Sequence, residues 1–253
     1  MSESSEQQGM SPLDSLGVMA MQSVVVDDNL DHLELYTSRG LMTILWHGAA
    51  DLETVVVCVG GAMGGLLGPD QGLYQRLGRA LPASGIGVMR VDYRTPNDLS
   101  ACVLDTVGAM ELAARHGAHR FITLGHSFGG AVALQAAMHL DRRSVPGVVT
   151  FATQSAGCEN AGLLGDRDLV FFHGTNDQIL PMQASEVVRA LAGTGELVLL
   201  DGADHLLAPA GDAVFDRLLH HLPAVFAIAA EAETGGAPGE PDRAGGTQDN
   251  STS

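Results

Sequence analysis

Apolar and polar positions along this chain follow two rhythms. Short apolar or alternating runs recur at 32–37, 42–46, 55–59, 87–93, 120–124, 145–151, 169–172 and 197–200. Each has the length of a strand rather than a helix. Between the later runs, apolar positions return every three or four residues, which predicts helices over 72–81, 99–116, 129–141, 184–192 and 213–230. Several runs, such as VVVCV, LVFF and LVLL, are apolar throughout, as expected of parallel strands covered on both faces. The earliest runs follow one another with no helix between them and suit an antiparallel edge. Strand–helix alternation afterwards predicts right-handed crossovers. The expected class is α/β: a mostly parallel central sheet of about eight strands with helices on both faces. In such sheets the reactive groups belong on loops at the carboxyl ends of the strands.

The pattern fades at both ends. Residues 1–14 are rich in Ser, Glu and Gln and are expected to be flexible. Residues 231–253 are rich in Gly, Pro and acids; such a segment buries too little to offset its ordering entropy and is expected to be a disordered acidic tail. Residues 15–230 then form one domain of about 215 residues, a usual size for a single core.

Composition narrows the chemistry. The chain has 253 residues, 45% of them hydrophobic and 17% charged, which favours a folded globule over general disorder. Its 13 basic residues are all arginine, and with 30 acids the net charge is −17. Without lysine there is no Schiff-base chemistry and no P-loop lysine. The acidic balance argues against nucleic acid and anionic membranes as partners, because both attract basic patches. The three cysteines, Cys58, Cys102 and Cys158, are widely spaced; they read as free thiols of a reducing compartment rather than as disulfides or zinc ligands. The amino terminus has no basic segment before an apolar one, so no secretory signal is expected. The longest apolar runs are interrupted by Asp, Gly or Arg, so no membrane span is expected either. The expected location is the cytoplasm, and no metal or cofactor is expected.

One segment carries a specific chemical signal. RFITL, an expected strand, runs into Gly125-His126-Ser127-Phe128-Gly129 and then into a helical Gly-Ala-Val-Ala-Leu pattern. A serine on so tight a turn is lifted clear of the sheet and set at a helix amino terminus, where amide dipoles favour negative charge. The flanking glycines allow strand and helix to approach without clashing Cβ atoms.

This G-x-S-x-G in strand–turn–helix context resembles the nucleophile elbow of the α/β-hydrolase superfamily, and the resemblance extends over residues 31–226. It implies a chain order of nucleophile, acid, histidine. After DLVFFHG comes Thr175-Asn176-Asp177 with Pro181 beyond, similar to the family's acid loop, which makes Asp177 the implied acid. After ELVLLDG comes Ala203-Asp204-His205, similar to the family's histidine loop, which makes His205 the implied base. Ser127 would be the nucleophile, His205 would take its proton, and Asp177 would orient the imidazole. Other readings stand beside these. Asp177 could cap the helix that follows, and Asp204 reads as a solvent-exposed loop charge. His173 reads as packing or bonding locally, and the His126 side chain as pointing away from the hydroxyl.

The resemblance also implies an oxyanion hole. One donor is the Phe128 N–H. The other comes from the loop VGGAMGG, where Gly60-Gly61 stands in place of the family's His-Gly; it carries over to Ala62, with Met63 as the second choice. On the substrate side, Tyr93, Ile179 and Leu206 are expected to line the site. Arg94 reads as one half of an internal ion pair. About seventeen residues separate the strands ending at 151 and starting at 169, too few for a helical cap. The chain therefore resembles the small, capless, esterase-like members and dienelactone hydrolases, although the latter generally carry cysteine where this chain has Ser127. The implied activity is hydrolysis of a small or medium carboxylic ester or thioester. The alternative is a non-catalytic member of the fold that binds a small ligand or a partner protein. The sequence leaves the oligomeric state open.

Overall fold

The apolar runs become the centre of one sheet. In the computed structural model, which describes residues 10–234, every residue from Val55 to Val59 is buried in β4 (Thr54–Val59), and so is all of β6 (Arg120–His126) and β7 (Gly147–Phe151). With β1 (Val18–Asp27), β2 (Leu30–Thr37), β3 (Gly40–His47), β5 (Ile86–Asp92), β8 (Asp168–Gly174) and β9 (Glu196–Leu200), the order is β1-β2-β3-β5-β4-β6-β7-β8-β9. β1, β2 and β3 follow one another without intervening helices and pair antiparallel, and β3 pairs antiparallel with β5 as well. From β5 through β4 to β9 all pairs are parallel.

Helices cover both faces. On one side lie α1 (Pro12–Ser15), α3 (Leu99–Arg115), α4 (Phe128–Met138) and α5 (Gln183–Ala192), packed on a core that includes Ile44, Val57, Met89 and Phe171. On the other lie α2 (Leu73–Ala80) and α6 (Gly211–Thr234), packed on Val56, Val88, Leu124 and Phe172. Phe151 and Phe172 stack with centroids 5.7 Å apart. Each such fully buried side chain contributes about 1.5–3 kcal/mol of transfer free energy.

The mostly parallel sheet with helices on both faces is as expected, and the structure refines the details in three places. The sheet has nine strands rather than about eight, because β1 was not expected; every one of its positions is exposed, so it shows no buried alternation. Residues 12–14, expected to be flexible, lie in α1, whose Leu13 is buried against the core. Residues 231–234, assigned to the tail, continue α6. The remaining parts of both expected ends, 1–9 and 235–253, lie outside the described residues. By length and composition α6 is also the one described helix that could cross a membrane, yet Val214, Leu218, Leu222, Val225 and Phe226 bury one of its faces in the core.

Between β7 and β8 the chain makes only a short 3-10 turn, Ala161–Leu164, and no helical cap. All three cysteines are buried and unpaired. The carboxyl ends of β4, β6, β8 and β9 share one rim of the sheet, and the chemistry-bearing loops leave from that rim.

Candidate active site

Ser127 sits between β6 and α4 with φ 57° and ψ −119°, a backbone conformation that costs about 1–3 kcal/mol in a non-glycine residue and persists only where its surroundings enforce it. Enforcement comes from both sides. The Ser127 N–H donates to the Phe151 carbonyl on β7 at 2.8 Å, and the Gly130 N–H donates to the Ser127 carbonyl at 3.0 Å. Helix and strands approach so closely that a Cβ on Gly125 would lie 1.9 Å from the Gly129 oxygen, and one on Gly129 would lie 2.2 Å from the Gly60 oxygen. Glycine is the residue that fits at both.

Asp177 follows β8, and its side chain is fully buried. It does not cap α5, whose first turn has no side-chain cap. Its Oδ1 accepts the N–H groups of Ile179 at 2.8 Å and Leu180 at 2.9 Å. Its Oδ2 accepts Nδ1–H of His205 at 2.7 Å. Burial pushes the carboxyl up, but the bonds from His205, Leu180 and Ile179 outweigh it and hold Asp177 below the ordinary carboxylate value. Because Nδ1 of His205 donates to the carboxylate, Nε2 keeps its lone pair.

Two further histidines complete this cluster. Nε2 of His173, at the end of β8, lies 3.1 Å from the Leu180 carbonyl and 3.2 Å from the same Asp177 oxygen. Facing two acceptors, that nitrogen carries the proton, while Nδ1 lies 2.6 Å from the Ser185 hydroxyl. His126 donates from Nε2 to the His205 carbonyl at 2.9 Å, and the two imidazoles meet at 4.8 Å between centroids. Burial lowers the His126 pKa to about 4, so its ring is neutral at ordinary pH. It pins the His205 loop to the residue next to Ser127. The loops are also joined by backbone: Asn176 N–H to the Ala203 carbonyl and Asp70 N–H to the Leu206 carbonyl, both at 2.9 Å. The Ser127 hydroxyl makes no hydrogen bond among the described residues.

The glycine loop after β4 lies against the elbow, with a Cβ on Gly61 reaching 3.7 Å from the Ser127 Cβ. Residues at the end of β5 hold it. The Tyr93 hydroxyl donates to the Gly60 carbonyl at 3.0 Å, Asp92 accepts the Gly65 N–H at 2.8 Å, and Arg90 donates to the Leu66 carbonyl at 3.2 Å. The Gly64 N–H closes a turn onto the Gly61 carbonyl at 2.9 Å, with Ala62 and Met63 at its corners. The N–H groups of Phe128, Ala62 and Met63 make no hydrogen bond among the described residues.

The expected site residues therefore separate into groups. Ser127, Phe128, Ala62 and Met63 gather at one rim, with Asp177 and His205 bonded to each other beside them. Ile179 and Leu206 are exposed on the acid and histidine loops. Tyr93 is a correction: it is 4% exposed and packs edge-on against Phe128, so it supports the glycine loop and does not face a substrate. Arg94 is bound internally to buried Asp105, as its sequence context suggested. Asp204 accepts the N–H groups of Leu206 and Ala208 and so shapes the histidine loop. The direct contact of His173 with Asp177 was not anticipated; its place four residues before Asp177, at the end of an apolar strand, was the available signal. A surface recess of about 530 Å³ lies at the opposite end of the strands, where Arg143, Asp168, Glu196 and His221 line it.

No family model matches the chain, and no curated protein matches it by sequence. Several solved structures share its architecture. Est1E from Butyrivibrio proteoclasticus superposes with a TM-score of 0.63 at 13% identity, over 78% of this chain and 99% of that one. An alpha-beta serine hydrolase homologue from Coxiella burnetii gives 0.63 at 16% identity, over 79% and 100%. A thioesterase domain from the curacin biosynthetic pathway gives 0.57 at 12% identity, over 79% and 99%. At these identities the likeness is one of fold.

Proposed function

We propose that this chain, whose fold is that of the α/β-hydrolases, is a serine hydrolase that cleaves a carboxylic ester or thioester through an acyl-enzyme on Ser127. The observation that carries the reading is the 2.7 Å bond from His205 to the buried Asp177 carboxylate, on loops pinned to a strained serine turn. Nε2 of His205 takes the Ser127 proton as the hydroxyl oxygen attacks the acyl carbon. Approach of the two atoms needs movement of the serine side chain or the imidazole as substrate arrives. The N–H groups of Phe128 and Ala62, with Met63 as the alternative to Ala62, receive the developing oxyanion, a contribution of about 10²–10³ in rate per donor. The protonated His205 returns its proton to the leaving alcohol or thiol. Water, deprotonated by His205, then attacks the acyl-enzyme and restores Ser127. Ile179 and Leu206 offer apolar contact to the acyl or leaving group. The neighbouring folds support an acyl substrate: Est1E has been solved with ferulic acid bound, and another neighbour is a thioesterase domain.

A non-catalytic binding protein on the same fold is the second reading, favoured by the absence of a hydrogen bond on the Ser127 hydroxyl. Fluorophosphonate labelling and a ladder of nitrophenyl esters separate the two. We expect labelling at Ser127 and turnover in the wild type. Ser127→Ala, Asp177→Asn and His205→Ala should each remain folded and lose at least about 10³-fold in kcat/KM. Absence of both labelling and turnover in the folded wild type would favour the binding protein. Full activity in His205→Ala would remove histidine from the scheme.

A further inference from the structure

Strand β1 closes the sheet at one edge. Its inner side pairs with β2, and its outer side pairs with no strand among the described residues. An open edge presents a row of unpaired N–H and C=O groups, and natural edges are commonly blunted by lysine, proline or charge. Residues 18–26 contain none of these, in a chain of net charge −17. Irregularities at the two ends leave 20–25 in regular register with β2.

The side chains add a direction to this demand. Met21 and Ser23 stand opposite Leu35 and Leu33, both of which are buried in the core. Val25, two residues on, points to the same face. The core-side face thus runs outward onto Met21, 54% exposed, and Val25, 73% exposed.

We propose that β1 pairs antiparallel with β1 of a second copy, about a two-fold axis through Ser23. An axis perpendicular to the sheet keeps each face on its own side, so residues that oppose one another must share a face. The axis then passes through a residue rather than between two. Through Ser23, Met21 meets Val25 of the second copy on the core side, and Ser23 meets itself. Through Gln22, Met21 would meet serine instead. The Ser23 axis also keeps acids apart. Asp27 falls opposite Met19, so the two copies of Asp27 lie roughly 27 Å apart at about 3.4 Å per residue, beyond the ~8 Å screening length of physiological salt. One strand pair with its flanking side chains is smaller than the ~800 Å² per partner of a standard interface. The dimer is therefore weak and forms as concentration rises.

Sedimentation velocity on the full chain tests this from about 1 µM to about 1 mM, where a weak interface fills by mass action. The expected result is a monomer that becomes a dimer. Met21→Lys with Val25→Lys, both at exposed sites, should keep the same melting temperature and stay monomeric. Ser23→Cys sets two thiols face to face, with Cβ atoms about 4.5–5.5 Å apart, close to disulfide geometry. Under mild oxidation it should cross-link at least about tenfold faster than Val18→Cys, which lies far from its own copy in this register. A wild type monomeric throughout, a dimer indifferent to the two lysines, open-ended assemblies, or equal cross-linking at 23 and 18 would each overturn the proposal.

Discussion

Asp177 shows how much of the site is decided by single side chains. Its two oxygens face four N–H groups, from Ile179, Leu180, His205 and His173. The sequence singled out Ser127, Asp177 and His205 through their resemblance to the α/β-hydrolase loops, and the structure brings two of them, Asp177 and His205, into direct contact. The contact of His173 with Asp177 was not foreseen, because a histidine inside a strand looks the same whether it packs or positions. Tyr93 was misread for the same reason: position along the chain shows which strand end a residue occupies, not whether its ring points into or out of the core. The His173 contact predicts a graded effect. His173→Leu removes one donor from Asp177 and should lower kcat by about 10–100-fold through misplacement of the His205 ring. His173→Gln, which retains an N–H donor, should recover part of the loss. Steady-state kinetics checks this, with melting curves to show that both variants are folded.

At the level of elements, eight strands and five helices were readable from their periods. All but one are buried on one face or both, and β9, at the far edge of the sheet, is half-buried at Leu197, Val198 and Leu200 rather than covered on both faces as its apolar run suggested; burial is what writes a period into a sequence. β1 has no buried position and left no such mark. The elbow illustrates the opposite case, where close approach dictates residue type. Gly129→Ala would drive a Cβ to 2.2 Å from the Gly60 oxygen and 2.8 Å from the Val59 oxygen. These are backbone atoms that can yield only by moving the glycine loop. Urea unfolding should show a loss of about 1–3 kcal/mol, the usual cost of overpacking. The loss in kcat should exceed what that destabilisation explains, because the displaced loop carries the Ala62 N–H.

The whole molecule carries a pH dependence of known sign. Burial, with Arg90 adding to it, lowers the His47 pKa to about 4, and burial does the same for His126. In the unfolded chain both titrate near ~6.5. Above that pH neither state binds the protons. As pH falls toward about 4, the unfolded chain takes up protons that the fold refuses, so stability drops by up to about 3 kcal/mol per histidine. Urea midpoints at pH 7 and pH 4.5 should show the fall, and His126→Asn should roughly halve it. The short link between β7 and β8 has a kinetic counterpart. A hydrolase roofed by a mobile flap spends part of each cycle waiting for that flap, and thickening the solvent slows it. With only a 3-10 turn in that place, turnover here should be indifferent to added sucrose or glycerol once the acyl step limits it, and selectivity then rests on how substrates fit the bare rim around the serine.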